Sequence, residues 1–176
     1  FAMFNCTISV DNENLARLLD WRLFETGHFG LNIINSVFSV RYFLPTFYMV
    51  VCFLLMVFAN HILVNLYKVV SNGRFDNIAS CVFSITVLSY PTFAYKFIFT
   101  QGLIQFGFVY LSVVLLVYFY YSYLKNIGKK SFSLFAIFCL NAFIVFNIET
   151  GIIIALMLTF FMLTLDGNFN IKDLLV

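Results

Sequence analysis

The sequence predicts an all-α membrane protein, a polytopic bundle of transmembrane helices with an amphipathic helix on its outer face. Hydrophobic residues make up 62% of the chain and charged residues only 10%, whereas a soluble domain carries about 25% charged residues. The apolar blocks approach the roughly 20 residues that a helix needs to cross a bilayer. In hydrocarbon each backbone N–H and C=O must find a partner, which an α-helix provides within its own segment.

The chain opens at Phe1 with neither an initiator methionine nor the basic and apolar pattern of a signal peptide. Its last apolar block ends a few residues before Val176. We therefore expect residues 1–176 to form a single transmembrane domain that is a fragment of a longer polytopic protein.

Residues 11–28 are the one long polar stretch, and they predict a short amphipathic helix at the membrane surface. Asp11 can cap its N-terminus, and Glu13 stands four residues before Arg17, a spacing that places both side chains on one helix face. Residues 29–44 are apolar but contain two asparagines and an arginine. This segment is therefore predicted to be interfacial or re-entrant rather than spanning.

Five apolar blocks follow, and each is predicted to span the membrane as a helix. They cover residues 45–67, 77–93, 102–124, 131–148 and 151–165. Pro45 stands where a helix can begin with proline, and Pro91 is expected to break the second block. The Asn72-Gly73 pair and the basic stretch 125–130 predict turns. The last block is short and spans only if the bilayer thins or its flanking side chains snorkel.

The basic residues predict the orientation of the bundle, because short loops rich in Lys and Arg remain cytoplasmic. One loop holds Lys68 and Arg74, and the loop two spans later holds Lys125, Lys129 and Lys130. Both loops therefore lie on one side, and Lys172 falls there too. The opposite side receives residues 11–28, residues 94–101 and Glu149. The outer face is thus predicted to be acidic and the cytoplasmic face basic.

Several unusual polar groups collect on the predicted outer side. Two ionisable residues stand at the ends of apolar segments: Lys96, beside Tyr95, and Glu149. Placing an ionisable group there costs free energy, and such a group usually faces a cavity or a partner. Lys96 either snorkels to the interface or reaches into a site, and Glu149 either caps a helix turn or binds a ligand. The acids of residues 11–28 are either solvated or serve as a base or metal ligands. His61, in mid-span, is predicted to make a packed polar contact.

The polar stretch resembles the opening of the Gtr type II glucosyltransferases of bacterial O-antigen modification. Those proteins carry an acidic pair, an Arg three residues on, a Trp, and Gly-Arg ahead of an apolar stretch with a Pro-led span. The matching positions here are Glu13-Asn14, Arg17, Trp21, Gly27-His28, Leu44-Pro45, and later Ser89-Tyr90-Pro91 and Tyr95. Asn14 replaces the second acid and His28 replaces the Arg. The resemblance covers roughly residues 11–110.

The resemblance implies a fold like that of the multi-span lipid-phosphosugar glycosyltransferases, in the bacterial cytoplasmic (inner) membrane. It implies transfer of glucose from an undecaprenyl-phosphate donor, a polyprenyl-phosphate-linked sugar, to lipid-linked O-antigen at the outer face. Glu13, or else Asp11, is then the catalytic base. The residues expected to bind substrate are Arg17, His28, Lys96, Tyr95 and Glu149, of which the first three are candidates for holding the donor phosphate.

The expected partners are that donor, a lipid-linked polysaccharide acceptor and membrane lipids. The net formal charge is only +2, and we expect no nucleic-acid partner. The sequence requires no cofactor, and a Mg²⁺ ion held by acids of residues 11–28 stays an open possibility. Three alternatives also stay open: an O-antigen or exopolysaccharide polymerase, a transporter or flippase without chemistry, and a structural subunit of a membrane complex.

Overall fold

The computed structural model describes residues 45–89, 103–147 and 150–166. They form five helices: α1 (Pro45–Val70), α2 (Asn77–Leu88), α3 (Leu103–Leu124), α4 (Lys130–Asn147) and α5 (Thr150–Leu165). The described part of the chain is therefore all-α, as the sequence predicts. The predicted surface helix of residues 11–28 and the predicted interfacial segment 29–44 lie outside the described residues.

Two of the five helices are long and apolar enough to cross a membrane. The segments that qualify are Phe47–Val70 in α1 and Ile104–Leu124 in α3. The apolar helices Asn77–Leu88, Lys130–Val145 and Gly151–Leu165 are shorter. A helix of 12 residues such as α2 rises only about 18 Å, compared with a hydrocarbon core of about 30 Å. By length and composition, two of the five predicted spans are therefore able to cross a membrane as helices.

The predicted turn after α1 is present, and local hydrogen bonds explain why the helix stops there. Asn72 and Gly73 both have positive φ, at 51° and 85°, a conformation that Asn and Gly tolerate better than other residues. The Gly73 N–H donates to the carbonyl of Lys68 at 3.4 Å, which satisfies a carbonyl left open at the helix end. The Ser71 hydroxyl then accepts the buried N–H of Phe75 at 3.0 Å.

Helix α2 begins and ends at recognisable signals. The Asp76 carboxylate accepts the N–H of Ala79 at 2.7 Å and caps the helix N-terminus. The helix ends at Leu88 with Ser89 as its C-cap. Sequence analysis extends this span to residue 93, and residues 90–93 lie outside the described residues. Proline disfavours helical backbone in the residue before it, so the helix closes ahead of Pro91.

Close contacts at both ends fix the relative directions of α3, α4 and α5. At one end, a Cβ added to Gly151 would lie 2.6 Å from Ile144 Cγ2 and 3.1 Å from Val109 Cγ1, so only glycine permits this approach. At the other end, Lys125 Nζ lies 2.6 Å from Asp166 Oδ2. Helices α3 and α5 therefore run parallel, with α4 antiparallel between them in sequence.

Helix α1 runs parallel to α3 and α5. Near the start of both α1 and α3, a Cβ added to Gly107 would lie 3.2 Å from the Cα of Cys52, so the two backbones nearly touch there. Near the end of α1, the Tyr67 hydroxyl donates to the carbonyl of Leu158, in the second half of α5, at 3.1 Å. Helix α3 contacts α1, α4 and α5 and is the central helix of the described part.

An aromatic cluster joins α1, α2 and α5 close to the turn at residues 71–76. The fully buried ring of Tyr67 meets the rings of Phe75, Phe83 and Phe161 at centroid distances of 5.8, 5.5 and 5.1 Å, each edge to face. Edge-to-face geometry is favourable because the positive ring edge meets the negative ring face. This cluster fixes the position of α2, the shortest helix, against the rest of the bundle.

The outward face of the bundle is apolar. Large side chains such as Ile78, Phe135, Phe138 and Phe160 are each at least 66% exposed. Soluble monomers rarely expose continuous apolar patches larger than a few hundred Å². An exterior of this composition suits a hydrocarbon environment.

Candidate functional site

Every formally charged side chain among residues 45–89, 103–147 and 150–166 lies at one end of the bundle. We call this the basic end, and its members are Lys68, Arg74, Asp76, Lys125, Lys129, Lys130 and Asp166. The parallel course of α1, α3 and α5 brings them together, because each lies near the end of a parallel helix or in the connection that follows, except Lys130, which begins the antiparallel helix α4 at the same end. Five bases against two acids leave a net charge of +3.

The acids of the basic end are both engaged by the fold. The Asp76 carboxylate caps α2, and Asp166 forms the ion pair with Lys125. Lys68 Nζ donates to Asn77 Oδ1 at 2.9 Å. Lys130 Nζ lies 5.8 Å from the centroid of the Tyr123 ring, within the range of a cation–π contact. The two acids therefore do not neutralise the five bases, and the basic end keeps a net positive charge.

The opposite end holds a buried polar contact between α3 and α4. Gln105 Nε2 donates to the main-chain carbonyl of Asn147 at 3.0 Å and lies 3.3 Å from its Oδ1. Asn147 Nδ2 in turn donates to the carbonyl of Phe143 at 2.8 Å. Both amides are at least 93% buried, and their hydrogen bonds close the C-terminus of α4. We call this the amide end.

The amide end is where the predicted site residues attach to the described helices. Residues 90–102, with Tyr95 and Lys96, connect the end of α2 to the start of α3, and Glu149 falls between α4 and α5. Residues 1–44 precede the first residue of α1 at this same end. All seven residues assigned to the site lie outside the described residues: Asp11, Glu13, Arg17, His28, Tyr95, Lys96 and Glu149. Their roles stay predictions.

The structure corrects one prediction and adds one residue. His61 is predicted to make a packed polar contact; it does make a polar contact, accepting a hydrogen bond from Asn65 at 3.0 Å, but its side chain is exposed rather than packed. The neighbouring Asn60 is the buried one, because it lies about 100° further round α1, on the face that packs into the bundle. Asn147 was missed. Its position as the last residue of α4, two residues before Glu149, was the available signal.

Metal-ligand chemistry has no geometric support in the described ranges, where no three His, Cys, Asp or Glu side chains cluster. Comparison of the chain with protein-family models, with curated proteins and with solved structures found no match.

The contact between Gln105 and Asn147 predicts a measurable stability effect. Gln105→Leu leaves the buried carbonyl and amide oxygens of Asn147 without their donor, which costs about 1–3 kcal/mol. We expect a lower unfolding temperature in detergent micelles. Thr86→Val is the control, since the exposed Thr86 hydroxyl bonds only within its own helix. Equal unfolding temperatures for the two variants would contradict the assignment of Gln105 to packing.

Proposed function

We propose that this chain is an integral membrane protein whose basic end faces the cytoplasm and whose amide end faces outward. The observation that carries the proposal is the position of all seven charges of the described residues at one end of the bundle. Loops rich in Lys and Arg are retained on the cytoplasmic side during insertion. Two helices of sufficient length and apolarity and an exposed apolar exterior support the same placement.

We further propose that the outer face carries a glycosyltransferase site that moves glucose from a polyprenyl-phosphate donor to lipid-linked O-antigen. The support is the resemblance of residues 11–28 to the Gtr type II glucosyltransferases, together with the proposed orientation. That orientation places residues 11–28, residues 90–102 and Glu149 on the outer side, where a lipid-linked acceptor would be met. In this proposal the helices act as the scaffold and the connections supply the reacting groups.

The proposed reaction assigns one role to an acid and another to the cations. Glu13, or Asp11 in its place, accepts the proton of the acceptor hydroxyl as that oxygen bonds to the anomeric carbon of glucose. The bond from that carbon to the phosphate oxygen breaks, and the polyprenyl phosphate leaves with the bonding electrons. Arg17, assisted by His28 or Lys96, stabilises the phosphate charge through directed N–H donors.

The two remaining substrate-binding residues, Tyr95 and Glu149, are proposed to contact the glucose itself. Tyr95 offers an aromatic ring and a hydroxyl to the glucose, and Glu149 offers a carboxylate that accepts hydrogen bonds from sugar hydroxyls. A Mg²⁺ ion, if one takes part, would be bound by carboxylate oxygens of residues 11–28.

A second candidate function is transport of a lipid-linked or small substrate without chemistry. One observation favours it. Helix α2 ends at Leu88, after 12 residues, and helices interrupted within the membrane are a feature of many transporters. The two candidates differ in one respect that can be measured, because only the transferase forms a new glycosidic bond.

The role of Glu13 predicts a loss of glucosylation. In the transferase proposal, Glu13→Gln lowers the rate of glucose transfer by about 100- to 10,000-fold, the usual contribution of a general base. Transfer is measured in membranes that contain the full chain, with polyprenyl-phosphate glucose and lipid-linked O-antigen. Asp11→Asn is tested in parallel as the alternative base, and Glu25→Gln, an acid of the same stretch without an assigned role, is the control. Full activity in both the Glu13 and Asp11 variants would contradict the proposed base.

The role of Arg17 predicts a change in donor affinity. Arg17→Lys keeps the positive charge but loses the planar fork that binds phosphate through two parallel hydrogen bonds. We expect a clear rise in the donor KM with little change in the acceptor KM. Arg22→Lys, in the same stretch, is the matched control. If Arg17→Lys and Arg17→Ala both keep the wild-type donor KM, Arg17 is not the phosphate ligand, and an exposed ion pair with Glu13 explains its presence.

A further inference from the structure

One face of α1 is left uncovered by the other described helices. Its residues follow alternating steps of four and three along the helix: Phe47, Val51, Leu54, Phe58, His61, Asn65 and Lys68. All are exposed except Val51 and Lys68, which are half-buried. We call this set the α1 seam. The spacing is that of a heptad repeat, in which every residue of the set returns to the face shared with a second helix.

The part of the α1 seam nearer the basic end is polar. Asn65 Nδ2 donates to His61 Nε2 at 3.0 Å, so the proton of the neutral imidazole is on Nδ1. The pair therefore retains an Nδ1–H donor on His61 and an Oδ1 acceptor on Asn65. Neither is used in another hydrogen bond to the part of the chain that the structure describes.

If the chain spans the membrane as proposed, the His61–Asn65 pair lies deep in the bilayer, where exposing its polar groups to lipid costs free energy. His61 precedes Val70, the last residue of α1, by nine residues, which corresponds to about 14 Å along the axis. With a hydrocarbon core of about 30 Å, His61 lies close to the bilayer centre. Lipid tails offer no hydrogen-bonding groups, so a polar partner is needed to satisfy the free donor and acceptor.

We infer that a second copy of this chain packs along the α1 seam, with the two α1 helices side by side and parallel. All copies insert with the same orientation, so a two-fold axis along the membrane normal keeps equivalent residues at equal depth. The polar pair is self-complementary under that symmetry. His61 Nδ1–H of each copy donates to Asn65 Oδ1 of the other, one helical turn away. The dimer thus contains two such hydrogen bonds, and the unused donor and acceptor of each copy are both satisfied.

The apolar members of the α1 seam support the same partner. Leu54 and Phe58 are 60% and 57% exposed and lie two turns and one turn, respectively, from His61 on the side of the amide end. In a parallel dimer each would pack against its equivalent, and the polar pair next to these apolar seam residues fixes the register of the two helices. The opposite side of α1, which includes the buried Cys52 and Met56, is already occupied within the bundle.

Cysteine cross-linking in native membranes tests this dimer. In a full chain with its four native cysteines changed to Ala, Phe58→Cys places a thiol on the α1 seam. Ile85→Cys, 60% exposed on α2, is the control away from the seam. On oxidation we expect a disulfide-linked dimer from Phe58→Cys and little from Ile85→Cys. Equal cross-linking at the two positions would reflect random collisions and would overturn the inference.

A second variant tests the polar pair itself. His61→Leu combined with Asn65→Leu makes α1 more apolar, so insertion is preserved, but it removes both reciprocal hydrogen bonds. We expect the dimer to dissociate about tenfold more readily, an effect in keeping with two interhelical hydrogen bonds in a bilayer. Unchanged cross-linking of Phe58→Cys in this background would overturn the inference.

Recovery of the chain after an alkaline carbonate wash separates failure of the dimer from failure of the proposed location. Cross-linking that is absent while the chain stays in the membrane pellet rejects the dimer alone, and another segment of the same chain or a different protein then covers the α1 seam. A chain released by the wash rejects the membrane location and the dimer together.

Discussion

The cost of placing formal charge in hydrocarbon is the constraint on which the proposed arrangement depends. Between the connection at residues 71–76 and its counterpart at residues 125–130, the described chain carries no formal charge. Charges recur only where the parallel helices α1, α3 and α5 reach the same end of the bundle. In the proposed membrane setting, this spacing both permits insertion and selects the side on which the connections remain.

In the proposed membrane setting, the hydrophobic effect does not drive the helices together, because lipid tails are as apolar as the helix side chains. Helices in membranes associate through close van der Waals contact and a few hydrogen bonds. Gly107 and Gly151 allow α3 to approach α1 and α5 closely. The Tyr67 hydroxyl and the Gln105 amide each join two helices through a carbonyl. Helix α3, which contacts α1, α4 and α5, is central to this packing.

Local signals in the sequence predicted the helices and turns, but not the faces by which the helices pack. Apolar runs and the Asn72-Gly73 pair are local features, so helix type and most boundaries were predictable. No helix has a continuous polar face, so no such face indicates which side meets its neighbours. The exposure of His61 and the contact of Gln105 with Asn147 therefore became visible only in the structure. The predicted site residues, all outside the described residues, stay predictions from sequence.

Accessibility of introduced cysteines to a membrane-impermeant thiol reagent tests the orientation most directly. In a chain without native cysteines, Asn126→Cys lies in the exposed connection of the basic end, and Asn14→Cys lies in the polar stretch assigned to the outer side. The account predicts that the reagent added outside intact cells labels Asn14→Cys and labels Asn126→Cys only after the membrane is permeabilised. The reverse pattern would contradict the orientation and every site assignment that depends on it.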